Sequence, residues 1–356
     1  KVWLDRLETE LDNLRAALDW LLAGADVAAG LRLAAALVEF WASRGYRGEG
    51  RTWLETGLTA GDRIAPPVRA AALRAAGSLA DWQDDYASAQ ALGEEALALF
   101  RTLGDRRGSV RALLGVAMAT HSQGRMAEAR ALFLEDLTLA QEVADRASVW
   151  WALVTLGMLT FGDGALEEAG ALLEQSLAVA RELRWPSRIG GSLILLGELA
   201  RAEGDFGRAA ALYEESLAIY RDLGMPWWIA LTLSNLGQVA VHHGDARRAA
   251  TLVQEAIPLF QRLGSVPLLA TCVAVMAAVA GLQGQSERAA RLLGASEAGR
   301  HIGQYHTPAD AAEEERLAAM LRAALGEEGF AAARAAGRAL SLDQAIAEAL
   351  AEAPIP

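Results

Sequence analysis

The residues able to do chemistry are few and poorly grouped. His242, His243 and Asp245 combine imidazole with carboxylate, the common donors to zinc. Adjacent residues on a helix point about 100° apart, so the two histidines cannot readily face one ion, and the run reads as a solvated helix end. A second set, His301 and His306 with Asp310, is loop-like and has no recognised ligand spacing. The run Gly45-Tyr46-Arg47-Gly48-Glu49-Gly50 is glycine-rich, but no strand precedes it, so it reads as a turn and not as a phosphate loop. Acids are plentiful, as in Glu167-Glu168 and Glu313-Glu314-Glu315, yet acid–base catalysis needs paired acids in a cleft, and no nucleophile–base set accompanies them. Lys1 is the only lysine, which excludes a P-loop lysine, a Schiff-base lysine and a lysine base within this chain. Cys272 is the only cysteine; it excludes an internal disulfide and multi-cysteine metal sites, and reads as a buried, inert thiol. The expectation is a non-enzymatic chain with no cofactor and no metal.

The elements that would carry these residues follow from composition and periodicity. Of 356 residues, 53% are hydrophobic and 22% charged, enough for a large core. The balance of 33 basic against 45 acidic residues, net −12, argues against direct nucleic-acid binding through a general basic surface. The most apolar segment, Val266 to Leu282, contains Pro267 and Gly281 and lacks basic flanks, so no membrane span is expected, and the lone cysteine fits a reducing cytoplasm, the expected location. The chain opens Lys1-Val2-Trp3-Leu4-Asp5 without an initiator methionine or signal pattern and reads as a piece of a longer protein.

A period of forty residues organises the sequence. Gly124, Gly164, Gly204, Gly244 and Gly284 are spaced by forty, Asp84 extends the series backwards, and Gly45 is a weaker seventh copy. Five residues after each anchor stand Ala89, Ala129, Ala169, Ala209, Ala249 and Ala289. Seven before it stand Gly77, Ala117, Gly157, Gly197, Gly237 and Ala277, and eleven before it Leu73, Leu113, Leu153, Leu193, Leu233 and Val273. These columns fall on one face of each of two helices, joined where the anchor glycine ends the first and Asp205 or Asp245 can cap the second. Small residues at −7 and +5 let the two backbones approach. One such hairpin cannot bury its apolar face alone, so an all-α, right-handed solenoid of about seven helix–turn–helix repeats with helical caps is expected.

The Gly at −7, Ala at +5 and turn residue at the anchor resemble the tetratricopeptide repeat, most closely from Leu193-Ile194-Leu195-Leu196-Gly197 through Gly204-Asp205-Phe206-Gly207-Arg208-Ala209 to Tyr213 and Ser216. The usual repeat is about 34 residues, and its helix-ending proline is replaced here by Arg101, Gln141, Arg181, Arg221 and Gln261, so the second helix runs on for more than a turn. Pro186, Pro226 and Pro267 come later, where a linker precedes the next helix. The organisation expected is an N-terminal amphipathic linking helix over 1–26, the superhelix over 27–293 and a helical cap over 294–356.

The first segment, Leu4-Asp5-Arg6-Leu7-Glu8-Thr9-Glu10-Leu11-Asp12-Asn13-Leu14-Arg15-Ala16-Ala17-Leu18-Asp19-Trp20, resembles the stretch that follows the nucleotide-binding and winged-helix modules in bacterial signal-transduction ATPases with numerous domains (STAND). The tail from Gly294 resembles the C-terminus of regulators of that group, including LuxR-type and maltose-activator-like ones. The resemblance implies a sensor region whose nucleotide-binding module lies elsewhere in the protein, with a peptide, protein or small-molecule inducer as partner. The alternative is a stand-alone scaffold holding a partner's peptide or helix. In this family the first helices line the groove, which puts Arg111, Leu114, Met118 and His121, then Trp151, Val154, Thr155, Met158 and Phe161, on the inner wall. Ile194, Glu198 and Arg201 follow, then Ser234, Asn235, Gln238 and Val241. The site expected from these is Arg111, Met118, His121, Trp151, Thr155, Met158, Glu198, Arg201, Asn235 and Gln238. Asn235 resembles the groove asparagine that holds a peptide backbone. Trp150, Trp151, Trp185, Trp227 and Trp228 are open to two readings, recognition surface or wedges between repeats.

Overall fold

The computed structural model describes residues 2–299 and 308–351; these are helical throughout, with no strand among them. The chain divides into two compact units, Lys1–Leu159 and Thr160–Pro356. The first contains α1 (Val2–Thr9), α2 (Leu11–Trp20), α3 (Val27–Ala36), α4 (Val38–Ser43), α5 (Arg47–Leu58), α6 (Pro66–Asp81), α7 (Tyr86–Thr102), α8 (Arg106–Ser122), α9 (Met126–Glu142) and most of α10 (Arg146–Gly162). The second contains α11 (Leu166–Glu182), α12 (Pro186–Glu203), α13 (Phe206–Leu223), α14 (Pro226–His242), α15 (Ala246–Leu263), α16 (Val266–Leu282), α17 (Ser286–Gly299), α18 (Pro308–Arg338) and α19 (Leu342–Leu350). Within each unit consecutive helices pack as antiparallel neighbours, as in α6–α7, α7–α8, α12–α13 and α14–α15.

Every anchor of the forty-residue series adopts a left-handed backbone. The φ angles of Gly124, Gly164, Gly204, Gly244 and Gly284 lie between 73° and 81°, and Asp84 follows at 61° despite its side chain. This conformation turns the next amide back onto the helix: Asp205 N donates to Ala200 O at 2.8 Å and Asp245 N to Ala240 O at 2.9 Å. The same two aspartates then accept from Arg208 N and Arg248 N, both at 2.9 Å, and so start the second helix.

A second left-handed series lies halfway between these anchors, at Gly104, Ala144, Arg184, Gly224 and Gly264, with φ from 50° to 69°. The sequence reading missed it because two of the five are not glycine. The linker expected before each next helix is therefore a turn of two or three residues, as in 103–105, and the period of forty is two nearly equal halves. Pro186 and Pro226 occupy the first position of their helices and Pro267 the second, where no backbone N–H is needed.

The small column at −7 does bring helices together. A Cβ on Gly197 would lie 2.4 Å from the Tyr213 ring, and one on Gly77 3.2 Å from Ala89 O. The arginines that replace the family's proline reach the following hairpin instead: Arg181 meets Glu215 at 3.0 Å, Arg221 meets Glu255 at 2.7 Å, and Arg101 pairs with Glu135.

The ends differ in detail from expectation. The single N-terminal helix is two, α1 and α2, followed by a wide turn over Leu21–Ala25 in which Gly24 has φ 118°. Its leucines still face inward, with Leu11 and Leu18 buried and Leu4, Leu7, Leu14 and Leu22 packed around them. The expected 293/294 boundary falls inside α17. The tail is α18, broken at Gly326 (φ 72°), and α19. The second part of α18 packs on α17 backbone to backbone: a Cβ on Gly294 would sit 2.1 Å from Arg334 O, and one on Gly337 1.9 Å from Arg291 O. The apolar segment 266–282 is α16, which packs against α14, α15, α17, α18 and α19, and this explains an apolar surface on all sides. Among the described residues no helix is long and apolar enough to cross a membrane.

Candidate recognition surfaces on the inner helices

In the first unit the inner wall is a shallow hollow of about 290 Å³ between α6, α8 and the start of α10. Arg111, Met118 and Trp151, three of the residues expected there, line it together with Leu114. The Arg111 side chain is 62% exposed, and its nearest carboxylate, Asp145, stands 3.8 Å away. Two charged residues of the hollow, Arg74 and Asp81, were not anticipated. Both occupy inner-wall register positions, ten and three residues before Asp84, so projecting the columns onto that copy would have found them. Burial lowers the Arg74 pKa, and the like charge of Arg111 lowers it further. Burial raises that of Asp81, helped by Asp84. One carboxylate oxygen of Asp81 is buried without a hydrogen-bond partner.

The remaining first-unit residues are dispersed. Thr155 is buried, and its hydroxyl donates to Trp151 O one turn back, at 3.0 Å. Met158 is 49% exposed and His121 half-buried at the end of α8.

In the second unit the expected residues converge. Arg201, whose side chain is 1% exposed, donates from Nη2 to Asp310 Oδ1 at 2.7 Å and from Nη1 to Glu198 Oε2 at 3.1 Å. Nη2 also donates to Glu313 Oε2 at 3.4 Å. Asn235 Nδ2 donates to Glu198 Oε1 at 2.6 Å and Gln238 Nε2 to Asp310 Oδ1 at 3.1 Å. Glu198, Arg201, Asn235 and Gln238 therefore form one polar cluster, but their partners on the inner side are acids of the chain's own α18. Three carboxylates share one guanidinium, so they cannot all ionise cheaply in a buried site. Burial pushes Glu198 up to about 7 against the pull of Arg201, with Asp310 adding to the rise. Glu313 is raised by burial as well. Burial opposes the charge on Arg201, but Glu198 and its other anionic neighbours hold it protonated. Two buried atoms here lack a hydrogen-bond partner, Arg201 Nε and Gln238 Oε1.

Beside this cluster α14, α16 and α18 enclose a second hollow of about 230 Å³, lined mainly by apolar groups such as Val275, Leu317 and Met320. His242 lies at its edge, stacked on Phe206 with ring centroids 3.3 Å apart, while the His243 ring is 6.1 Å away and turned by 67°. His301 and His306 lie outside the described residues. The Cys272 thiol is fully buried 4.0 Å from Ser234 Oγ, and burial raises its pKa to about 12, which suits the inert reading.

The tryptophans divide between the two readings. Trp150 is 4% exposed, and Trp227 and Trp228 pack against the core, with Trp228 stacked on Tyr220 at 5.1 Å. Trp151 alone of the five lines a hollow described here. An aromatic wall, two guanidiniums and one buried acid form a surface for binding; in neither unit do these inner walls bring a nucleophile and a base together.

Comparison with known proteins agrees with the repeat. Residues 145–222 match the tetratricopeptide repeat family. Over 122 residues the chain is 35% identical to a Mycobacterium tuberculosis protein provisionally named an HTH-type transcriptional regulator, and to a counterpart in Mycobacterium bovis. The match takes in 30% of this chain and 13% of the relative, so the chain spans about an eighth of the length of the curated relatives it matches. Among solved structures, the apo form of RapI aligns with a TM-score of 0.61 at 12% identity, over 83% of this chain and 98% of that one. The Rap conjugation gene regulator of plasmid pLS20, solved with the Phr* peptide, aligns at 0.58 and 14% identity, over 85% and 78%. NprR in complex with its cognate peptide NprX aligns at 0.52 and 13% identity, over 73% and 77%. At such identities the likeness is one of fold, and the fold is an all-α, tetratricopeptide-like solenoid.

Proposed function

We propose that this chain is the ligand-sensing and protein-interaction region of a bacterial STAND-type regulator of transcription, with its nucleotide-binding module elsewhere in the full-length protein. The inner wall takes a peptide or small inducer, and the ligand shifts the switch by preferring one of its states. The observation that carries this reading is the second unit's wall, where Arg201 and Gln238 already hold the acidic start of α18. A wall able to grip a peptide segment of its own chain has the chemistry to grip one from outside. The corresponding wall of the first unit presents Arg111, Met118 and Trp151 around an open hollow. The peptide complexes of a pLS20 Rap protein and of NprR support peptide recognition by this fold, and the regulator name of the mycobacterial relative supports a transcriptional role.

The test uses full-length protein carrying Arg111→Ala and Trp151→Ala together. Under inducing conditions these changes are expected to abolish the inducer-dependent change in nucleotide exchange and in oligomeric state. Exchange and assembly indistinguishable from the parent would overturn the reading.

A further inference from the structure

We propose that the hollow of the first unit binds a small zwitterion, an apolar α-amino acid, with its carboxylate on Arg74 and Arg111, its ammonium on Asp81 and its side chain against Met118 and Trp151. The inference deepens the sensing reading above and rests on it. Nothing in the fold requires two guanidiniums to meet here. Arg74 and Arg111 line the same hollow, and the like charge of Arg111 adds to the lowering of the Arg74 pKa by burial. Arg111 has only a distant partner in Asp145, which is already engaged in accepting from Ser148 N at 3.3 Å. Two like charges brought together on the wall of a strongly acidic chain form a receptor for an anion, and a guanidinium pair matches a carboxylate best.

Asp81 decides which kind of anion. Its buried, unpartnered oxygen calls for a donor, and a simple carboxylic acid would bring repulsion to it instead. Arg74 and Asp81 are seven residues apart on α6, two turns along one face, or about 10 Å of helix rise. A ligand whose carboxylate and ammonium share one carbon, with a hydrogen bond of about 3 Å at each end, spans roughly that distance. The remaining wall is apolar: Leu114, Met118 and Trp151 line it. Its floor is opened by Gly115, where an added Cβ would meet nothing within 4 Å. About 290 Å³ accommodates one amino acid with a branched or aromatic side chain.

The experiment titrates the purified 356-residue chain calorimetrically with L-leucine, L-methionine and L-phenylalanine, and with N-acetyl-leucine and leucinamide, which each lack one charge. At least one free amino acid is expected to bind, with either blocked leucine derivative weaker by about tenfold or more, as loss of a charge-assisted hydrogen bond dictates. Arg74→Gln is expected to weaken binding by a similar factor. Gly115→Phe, which fills the hollow from a helix position that accepts a side chain, is expected to abolish it. The exposed Arg181→Gln serves as the folded control. No binding by any of the three amino acids, equal binding of the blocked derivatives, or unaltered binding by Gly115→Phe would each overturn the proposal. If it fails while Arg111→Ala with Trp151→Ala still removes the inducer response, the amino acid is wrong and the sensing wall stands.

Discussion

The two units treat buried charge in opposite ways. In the second, Arg201 is ringed by Glu198, Asp310 and Glu313, and the amides of Asn235 and Gln238 complete the ring. In the first, Arg74 shares its hollow with another arginine, Arg111, Asp81 has an unpartnered oxygen, and both oxygens of the fully buried Asp136 lack partners. The same repeat builds both walls, so the difference lies in what covers them. Where the chain supplies its own acidic helix most of the cluster's polar groups find partners within the chain; where it does not, Arg74 and Asp81 line an open hollow.

The comparison breaks most sharply at Arg201. Replacing it with alanine leaves three clustered acids without their cation and is expected to cost about 3–5 kcal/mol in chemical denaturation, as removal of one partner from a buried pair does. The corresponding change at Arg74, which has no such pair, is expected to cost far less. Next comes Gly337→Ala, whose methyl would collide with Arg291 O. It is expected to push α18 off α17 at a cost of about 1–3 kcal/mol, with faster amide hydrogen exchange in α18 than in α12.

Asp136 sharpens the contrast from the other side. Position +12 holds Ala96, Ser176, Ser216, Ala256 and Ser296 in the other copies, and only here a carboxylate, which burial followed by repulsion from Asp145 and Glu135 raises to about 8. Because this pKa is higher in the folded state than the usual 3.8, the folded chain binds the extra proton, and stability falls as pH rises from about 4 to about 8. Asp136→Ser is expected to stabilise by about 1–2 kcal/mol at neutral pH and to flatten that slope in melting curves recorded across it. Glu198 adds a parallel slope between its usual 4.5 and about 7, which the Asp136 variant retains. The smallest effect is expected at the ladder common to both units. Arg221→Ala, which removes a half-exposed pair with Glu255, should change stability by less than about 1 kcal/mol.

The repeat was readable because turn geometry and close packing impose residue types at fixed spacing: a left-handed backbone favours glycine, and Gly197 must admit the ring of Tyr213. The halfway turns escaped because Ala144 and Arg184 adopt that backbone without advertising it. The inner-wall register put Glu198, Arg201, Asn235 and Gln238 on one wall, and in the structure they form one polar cluster. It could not show that Asp310, more than a hundred residues away in sequence, would fill the space before them, since nothing in a local period encodes a contact of that range. Arg74 and Asp81 were legible in the register, at the inner-wall positions of the copy anchored at Asp84.

The equal spacing of the two left-handed series has a last consequence. With only two to four residues between successive helices of the repeat there is little slack, so one residue inserted into a helix would rotate everything downstream by about 100° and turn its oily stripe toward water. Length changes in such a chain are tolerable only in whole hairpins, and the divergence of related proteins in this region is expected to proceed in steps of forty, leaving the joints untouched while the surfaces they display are rewritten.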